Sequence, residues 1–290
     1  MLTANEHYKA RFGCKMYKAS ISFAKTCPNR DGTKGTGGCI FCSAGGSGEF
    51  AACAGKSITE QIDEAISRVE KKAGSGAGYV AYFQSFTNTY CSPEMLADAM
   101  DEAISHPRVK ALSIATRPDC LPEEILKVIS ERAAKIPIYV ELGLQTSNDE
   151  TAKIINRCYE TREYDDAVRR LKEAGVNVIT HVIFGLPKET EAQMMESVRH
   201  CVSAGTDGIK LTCLYVLKDT VLERMWRDGK FEVLGQEEYF DIVEKALSLL
   251  PPDTVVHRLT GDGPKKLLLA PAWTADKRGV INYVNRRFSL

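Results

Sequence analysis

Apolar and polar positions along this 290-residue chain fall into two alternating rhythms. Short β-branched and apolar runs at 15–23 (KMYKASISF), 79–84 (YVAYFQ), 109–115 (VKALSIA), 136–144 (IPIYVELGL), 177–185 (NVITHVIFG) and 208–216 (GIKLTCLYV) read as strands. Between and after them, apolar residues recur with the helical period at 57–72, 92–105, 121–135, 165–175, 191–205 and 235–250. Ser57 with Glu60 forms a capping box at the head of the first helix, and Pro93 suits the first position of the second. Gly175 and Gly205 stop the fourth and fifth. A last apolar run, TVVHRL at 254–259, precedes a mixed closing segment.

Strands that alternate with helices predict a parallel α/β sheet with right-handed crossovers. The strands are apolar on both faces, as a sheet covered on both sides requires. A partly closed barrel and a doubly wound sheet fit the pattern equally. In both, function gathers at the C-terminal strand ends. Polar clusters stand there: FQSFTNTY, TRPD, LQTSND, GLPKET and LKDT. The strands also carry inward candidates. Glu141 and Lys210 sit among apolar neighbours and need partners if buried, a solvated edge being the alternative for Lys210.

Charge narrows the reading only through its distribution. Lys+Arg and Asp+Glu both number 38. From Arg258 onward seven basic residues face two acids, so that end is basic and could meet phosphates, unless it is an ordinary solvated helix face. The N-terminus lacks the apolar core of a signal peptide, and no window approaches the length of a membrane span. A cytoplasmic protein is expected, in which the ten cysteines are not disulfides. Cys53, Cys158, Cys201 and Cys213 read as small packing residues. So do Cys91 and Cys120 beside Tyr90, with a radical relay as their alternative. GEFAACAGKS at 48–57 is not a phosphate-binding loop, because Phe50 stands where its first glycine is needed.

Cys27, Cys39 and Cys42 share one glycine-rich loop directly after the first strand, spaced C-x11-C-x2-C. Three thiolates leave two readings open. Cys14 completes a four-cysteine zinc site, or an iron–sulfur cluster keeps one iron free. Cys14 precedes the first strand and so starts at the opposite end of the sheet, which disfavours zinc.

The loop resembles the cluster loop of the radical S-adenosylmethionine (SAM) superfamily. The usual C-x3-C-x-aromatic-C is lengthened in its first gap, and the aromatic, Phe41, is kept. The longer gap is similar to the subgroup that contains the elongator catalytic subunit. Six motifs occur in order from about residue 12 to the end: CPNRDGT…GGCIFC, FQSFTNTY, TRPDCLP, VELGLQTSNDETAKIINR, GLPKET and HRLTGDGPKKLLLAPAW. Together they resemble the YhcC-like radical SAM proteins of bacteria.

That resemblance implies an α/β fold, a partial (β/α)6 barrel of parallel strands over 1–230. A C-terminal α/β extension over 231–290 packs on it, in one continuous domain. It implies a [4Fe–4S] cluster on Cys27, Cys39 and Cys42 whose fourth iron takes the amino and carboxylate groups of SAM. Phe41 then lies near the adenine. Gln84 and Ser85 replace the usual Gly-Gly-Glu facing the methionine ammonium. Gln145 and Arg157 resemble a SAM-binding Gln…Asn-Arg pair of radical SAM coproporphyrinogen dehydrogenases, capping of its own helix being the alternative for Arg157. Glu141 reaches the lumen. His181 stands where that family has an acid near the ribose, or is a hydrogen-bonded barrel histidine. A flavodoxin or ferredoxin supplies electrons. The implied substrate is a tRNA wobble uridine, contacted through Lys265, Lys266, Lys277, Arg278, Arg286 and Arg287. A small-molecule substrate, or a zinc-stabilised RNA-binding protein, are the alternatives.

Overall fold

The computed structural model describes residues 1–52, 55–74 and 76–289. Cys53 lies outside them. The strands in chain order are β1 (Leu2–Thr3), β2 (Met16–Ile21), β3 (Gly78–Phe83), β4 (Val109–Thr116), β5 (Ile138–Gln145), β6 (Asn177–Phe184), β7 (Gly208–Cys213), β8 (Val216–Leu217), β9 (Val255–Arg258) and β10 (Leu268–Ala270). The helices are α1 (Ala4–Phe12), α2 (Ile58–Ser67), α3 (Glu70–Ala73), α4 (Pro93–Ser105), α5 (Glu123–Ala133), α6 (Asp149–Ile154), α7 (Thr161–Glu173), α8 (Glu191–Ala204), α9 (Val221–Arg227), α10 (Gln236–Ser248) and α11 (Lys277–Phe288).

Eight strands, ordered β1-β9-β7-β6-β5-β4-β3-β2 and all parallel, curl into a half-barrel. The six expected strands are all present as β2–β7, and β9 and β1 extend the sheet at one edge to eight. TVVHRL supplies β9, inserted between β7 and the two-residue β1, so the chain's last segment extends the same sheet. β8 and β10 form a separate antiparallel pair.

Alternation along each strand sorts side chains between two environments. Ala19, Ile21, Tyr79, Ala81, Phe83, Leu112, Ile114, Val140, Leu142, Val178, Val182, Ile209 and Leu211 face outward into the main core. Apolar faces of the flanking helices cover them: Ile62 and Ile66 from α2, Leu96 and Met100 from α4, Ile129 from α5, Val168 and Leu171 from α7. At about 25 cal/mol per Å² of apolar surface removed from water, this burial is the main stabilising term.

The inward residues stack in three layers. Met16, Val80, Ala111, Tyr139 and Ile179 form the lowest, closed by Tyr8 and Phe12 of α1, which plugs the N-terminal end of the barrel. Thr3 and Glu6 close a capping box at the start of α1, and Gly13 ends it with φ +67. Above it is a polar layer, Lys18, Tyr82, Ser113, Glu141, His181 and Lys210, gathered by contacts around Glu141 and the Tyr82 ring. The top layer is mostly small, with Ser20, Ala115, Gly143 and Thr212, and it leaves a cavity open at the C-terminal strand ends.

Candidate active site in the half-barrel

The loop after β2 is tied down by backbone groups from three other segments. Ile40 N donates to Ile155 O, Leu222 N to Ile40 O, and Phe86 N to Gly46 O. Asn156 Nδ2 donates to the carbonyls of Thr36 and Gly38 at 3.0 and 2.7 Å. Gly46 has φ +57, and an added Cβ would lie 2.2 Å from the Phe86 ring, so the loop meets the β3 end closely only because this position is glycine.

Cys27, Cys39 and Cys42 all line the cavity, whose volume is about 520 Å³. Thr87 Oγ1 donates to Cys27 Sγ at 2.9 Å and Asn29 Nδ2 to Cys39 Sγ at 3.4 Å. Such donors stabilise thiolate sulfur and tune a cluster held by it. Burial pushes the Cys27 thiol up, while the neighbouring Cys39 brings Cys42 down to about 7. Three thiols in one loop, two with a hydrogen-bond donor on sulfur, have the donor chemistry that an iron–sulfur cluster takes. Cys14 does not join them. Its sulfur receives Lys110 Nζ at 3.4 Å and lies beside Met16 and Gly78, at the N-terminal end of the strands. The four-cysteine zinc arrangement is therefore not formed.

Phe41, Gln84, Glu141, Gln145, Arg157 and His181 also line this cavity, so most of the expected residues are brought together. Gln84 Nε2 donates to Ser47 O in the loop at 2.8 Å. Gln145 sits at φ +68, where the β5–β6 register shifts and the strand turns out of the sheet.

Two expectations need correction. Ser85 is 3 % exposed and lies behind the loop, hydrogen-bonded to Ser22 Oγ at 2.9 Å and packed on Gly48. It is not part of the cavity wall. Arg157 is 1 % exposed, and its guanidinium is fully engaged. Nη1 donates to Leu144 O and Thr146 O at 2.7 and 2.6 Å. Nε and Nη2 donate to Tyr159 O, and Nη2 reaches Asp149 at 3.1 Å and Thr161 at 3.3 Å. No N–H remains for a SAM carboxylate, nor does it cap its own helix. It braces the end of β5 against the α6 segment.

TRPD forms a similar brace. Arg117 pairs in fork geometry with Asp119 at 2.9 Å and donates to Arg157 O, while Lys34 of the cysteine loop reaches Asp119 at 2.8 Å. Cys91 and Cys120 line a separate groove on the far side of this brace.

Below the thiols, Glu141 is fully enclosed. Oε1 accepts from Lys18 and from Ser113 Oγ at 2.6 Å; Oε2 accepts from His181 Nε2 at 2.7 Å and from Lys210. Burial alone would raise this carboxyl, but Lys18, Lys210 and His181 hold it well below the usual range. Burial and the Lys210 charge push His181 down to about 4, so its neutral ring donates from Nε2. Sequence reasoning missed Lys18, Tyr82, Tyr159 and His257 of the wall. Lys18 and Tyr82 were detectable as polar residues two apart from apolar inward neighbours, had the inward face been known.

A radical SAM superfamily profile matches residues 21–201, and a radical SAM C-terminal domain profile matches 206–289. The chain belongs to the radical SAM superfamily. It is 39% identical over 284 residues to the Bacillus subtilis protein YtqA, covering 98% of this chain and 88% of that one. It is 32% identical over 268 residues to Escherichia coli YhcC, covering 92% and 85%. A tRNA uridine(34) acetyltransferase of Methanocaldococcus infernus is 28% identical over 177 residues, 60% of this chain and 32% of that protein. Among solved structures, Methanocaldococcus infernus Elp3 superposes with a TM-score of 0.68 at 19% identity, covering 94% of this chain and 63% of that one. This radical SAM protein is thus an enzyme of that superfamily, whose members use a [4Fe–4S] cluster and SAM.

Proposed function

We propose that this radical SAM enzyme modifies the side chain of a tRNA wobble uridine, with Cys27, Cys39 and Cys42 holding the cluster. The observation that carries the first step is the placing of three thiols at the mouth of a polar, half-enclosed lumen. Bound there, cluster and SAM supply one-electron cleavage of the SAM sulfonium bond and a carbon radical able to take a hydrogen atom from substrate. The chain's own residues position and shield. Phe41 offers its ring to the adenine, and Gln84 and Gln145 offer polar groups to the methionine and ribose portions. Neutral His181 and Glu141 lie beneath. α1 closes the lower end of the lumen to water.

The tRNA reading is supported by the similarity to a tRNA uridine(34) acetyltransferase and by a basic C-terminal end. Within that end the roles divide. Arg287 is held by both Asp241 and Glu244, which leaves it less free for phosphate, whereas Lys277 is exposed beside its single partner Asp262. Lys265, Lys266, Arg278 and Arg286 are exposed too, and with Lys277 form the phosphate-facing set. Flavodoxin or ferredoxin is the electron donor. One modification of this class is trimming a carboxymethylaminomethyl group to aminomethyl.

The test has two parts. Anaerobically reconstituted protein is expected to hold about four irons per chain, as one cubane requires, and to release 5′-deoxyadenosine from SAM with dithionite. Colourless protein with one tight zinc refutes the cluster. Modified nucleosides in tRNA from wild-type and deletion cells are then compared. Identical profiles refute the tRNA substrate and favour a small molecule.

A further inference from the structure

The polar layer of the lumen carries more positive charge than its fold requires. Lys18 and Lys210 bond the two oxygens of one carboxylate, Glu141, and their ammoniums lie 4.1 and 5.0 Å from the centroid of the Tyr82 ring. The other groups facing them offer no second anion: burial pushes Tyr82 up, and His181 and His257 down, and Arg258, itself a cation, is paired with Asp262 at 2.8 Å. Two ammoniums therefore share a single buried negative charge. Burial pushes Lys210 down to about 7 although Glu141 pulls the other way, and the neighbouring Lys18 adds to the fall. An uncompensated buried cation is costly and persists where function uses it.

Depth decides which ligand it serves. The layer sits two residues below the small residues of the cavity top, about 7 Å deeper at a strand rise of roughly 3.3 Å per residue. In the reading above, the carboxylate of SAM is taken by the open iron at the mouth, and the layer below is free to meet substrate.

We propose that Lys18 and Lys210 form a subsite for a carboxylate of the substrate. The inference rests on the proposed function for the identity of that substrate, a uridine whose 5-substituent ends in a carboxylate. The lumen then fixes the far end of the substituent and leaves its carbons between the lysines and the cavity mouth.

The experiment is calorimetric titration of the reconstituted, SAM-loaded protein with two probe pairs. One is 5-carboxymethylaminomethyluridine and its neutral amide; the other is N-benzylglycine and its amide. Wild type is expected to prefer each carboxylate over its amide by roughly 10- to 100-fold, the worth of a hydrogen-bonded charge. Lys210→Met and the more exposed Lys18→Met are expected to lose the preference, and Lys210→Arg to retain it. Glu141→Gln removes the competing carboxylate, so it is expected to bind the carboxylate probes more tightly. A lysine needed only for folding would not produce that gain. Nucleoside binding without carboxylate preference overturns the subsite and leaves the uridine reading standing. Carboxylate preference with the benzyl pair and no added affinity for the nucleoside supports the subsite and refutes the uridine reading. No preference in either pair, or lysine variants that weaken SAM instead, overturns the subsite.

Discussion

Arg157→Lys separates two roles that the same arginine could have. If Arg157 bound a SAM carboxylate, lysine would keep the charge, and SAM affinity would fall with little change in stability. The structure assigns a brace instead. Two guanidinium nitrogens and Nε divide among Leu144 O, Thr146 O and Tyr159 O, with Asp149 and Thr161 at the edge. A single ammonium nitrogen cannot reach carbonyls spread around a planar fork. About two buried acceptors are left unpaired, at ~1–3 kcal/mol each, so the loss is roughly 2–6 kcal/mol. For a chain of this size that lowers Tm by on the order of 10 °C. Urea unfolding of the cluster-free protein measures it directly, because neither cluster nor SAM then contributes. A stability change below about 1 kcal/mol, together with weakened SAM binding in the reconstituted enzyme, would refute the brace.

Three further outcomes follow from local geometry. Glu189 is raised to about 7 by burial, with Oε2 unpartnered and Oε1 accepting from Thr146. Its folded pKa exceeds the unfolded one, so the stability it contributes is complete below about pH 4.5 and is lost as pH rises to about 7, by at most about 3 kcal/mol. Glu189→Gln is therefore expected to be the more stable protein at pH 8 in denaturant titrations, and an unchanged pH profile would contradict the assignment. At Gly48 an added Cβ would lie 2.1 Å from Ser85 Oγ, so Gly48→Ala should push the cysteine loop off β3 and lower the iron retained after desalting. Adding Ser85→Gly removes the clash and should restore it. Cys14→Ser should keep full iron and colour, whereas Cys39→Ser should lose both; equal loss in the two variants would revive the zinc reading.

The order of elements was legible because each of the six central strands and its helix carry their own period. What period two could not supply was phase. Both faces of these strands are apolar, so alternation alone does not say whether Tyr79 or Tyr82 points into the lumen. Pairing decides it: β3 lies beside β2 with Ser20 against Tyr82, and that register puts Tyr82 on the face of Lys18. Glu141 and Lys210 were visible as polar residues in apolar strands, but the tie between them is set by two successive parallel registers. β1, two residues long, is too short for any periodicity and becomes a strand only because β9 offers an edge.

Arg157 shows the other limit. Its spacing from Gln145 marked it as one of a SAM-binding pair, yet spacing cannot tell a ligand from a brace. The deciding fact is conformational. Gln145 turns out of the sheet at φ +68 and leaves two acceptor positions there, the carbonyl of Thr146 and the second lone pair of the Leu144 carbonyl, which already accepts from Thr146 N at 2.9 Å. Those acceptors must be met by something in a buried place. The arginine that meets them lies 11 and 13 residues on, carried back by α6. A strand that ends in a turned-out residue at the rim of a cavity creates buried acceptors there, and a nearby arginine satisfies them before any ligand arrives. In the function proposed above, the groups left for ligands include the three thiols at the mouth and the paired lysines beneath them, which the fold does not spend on bracing.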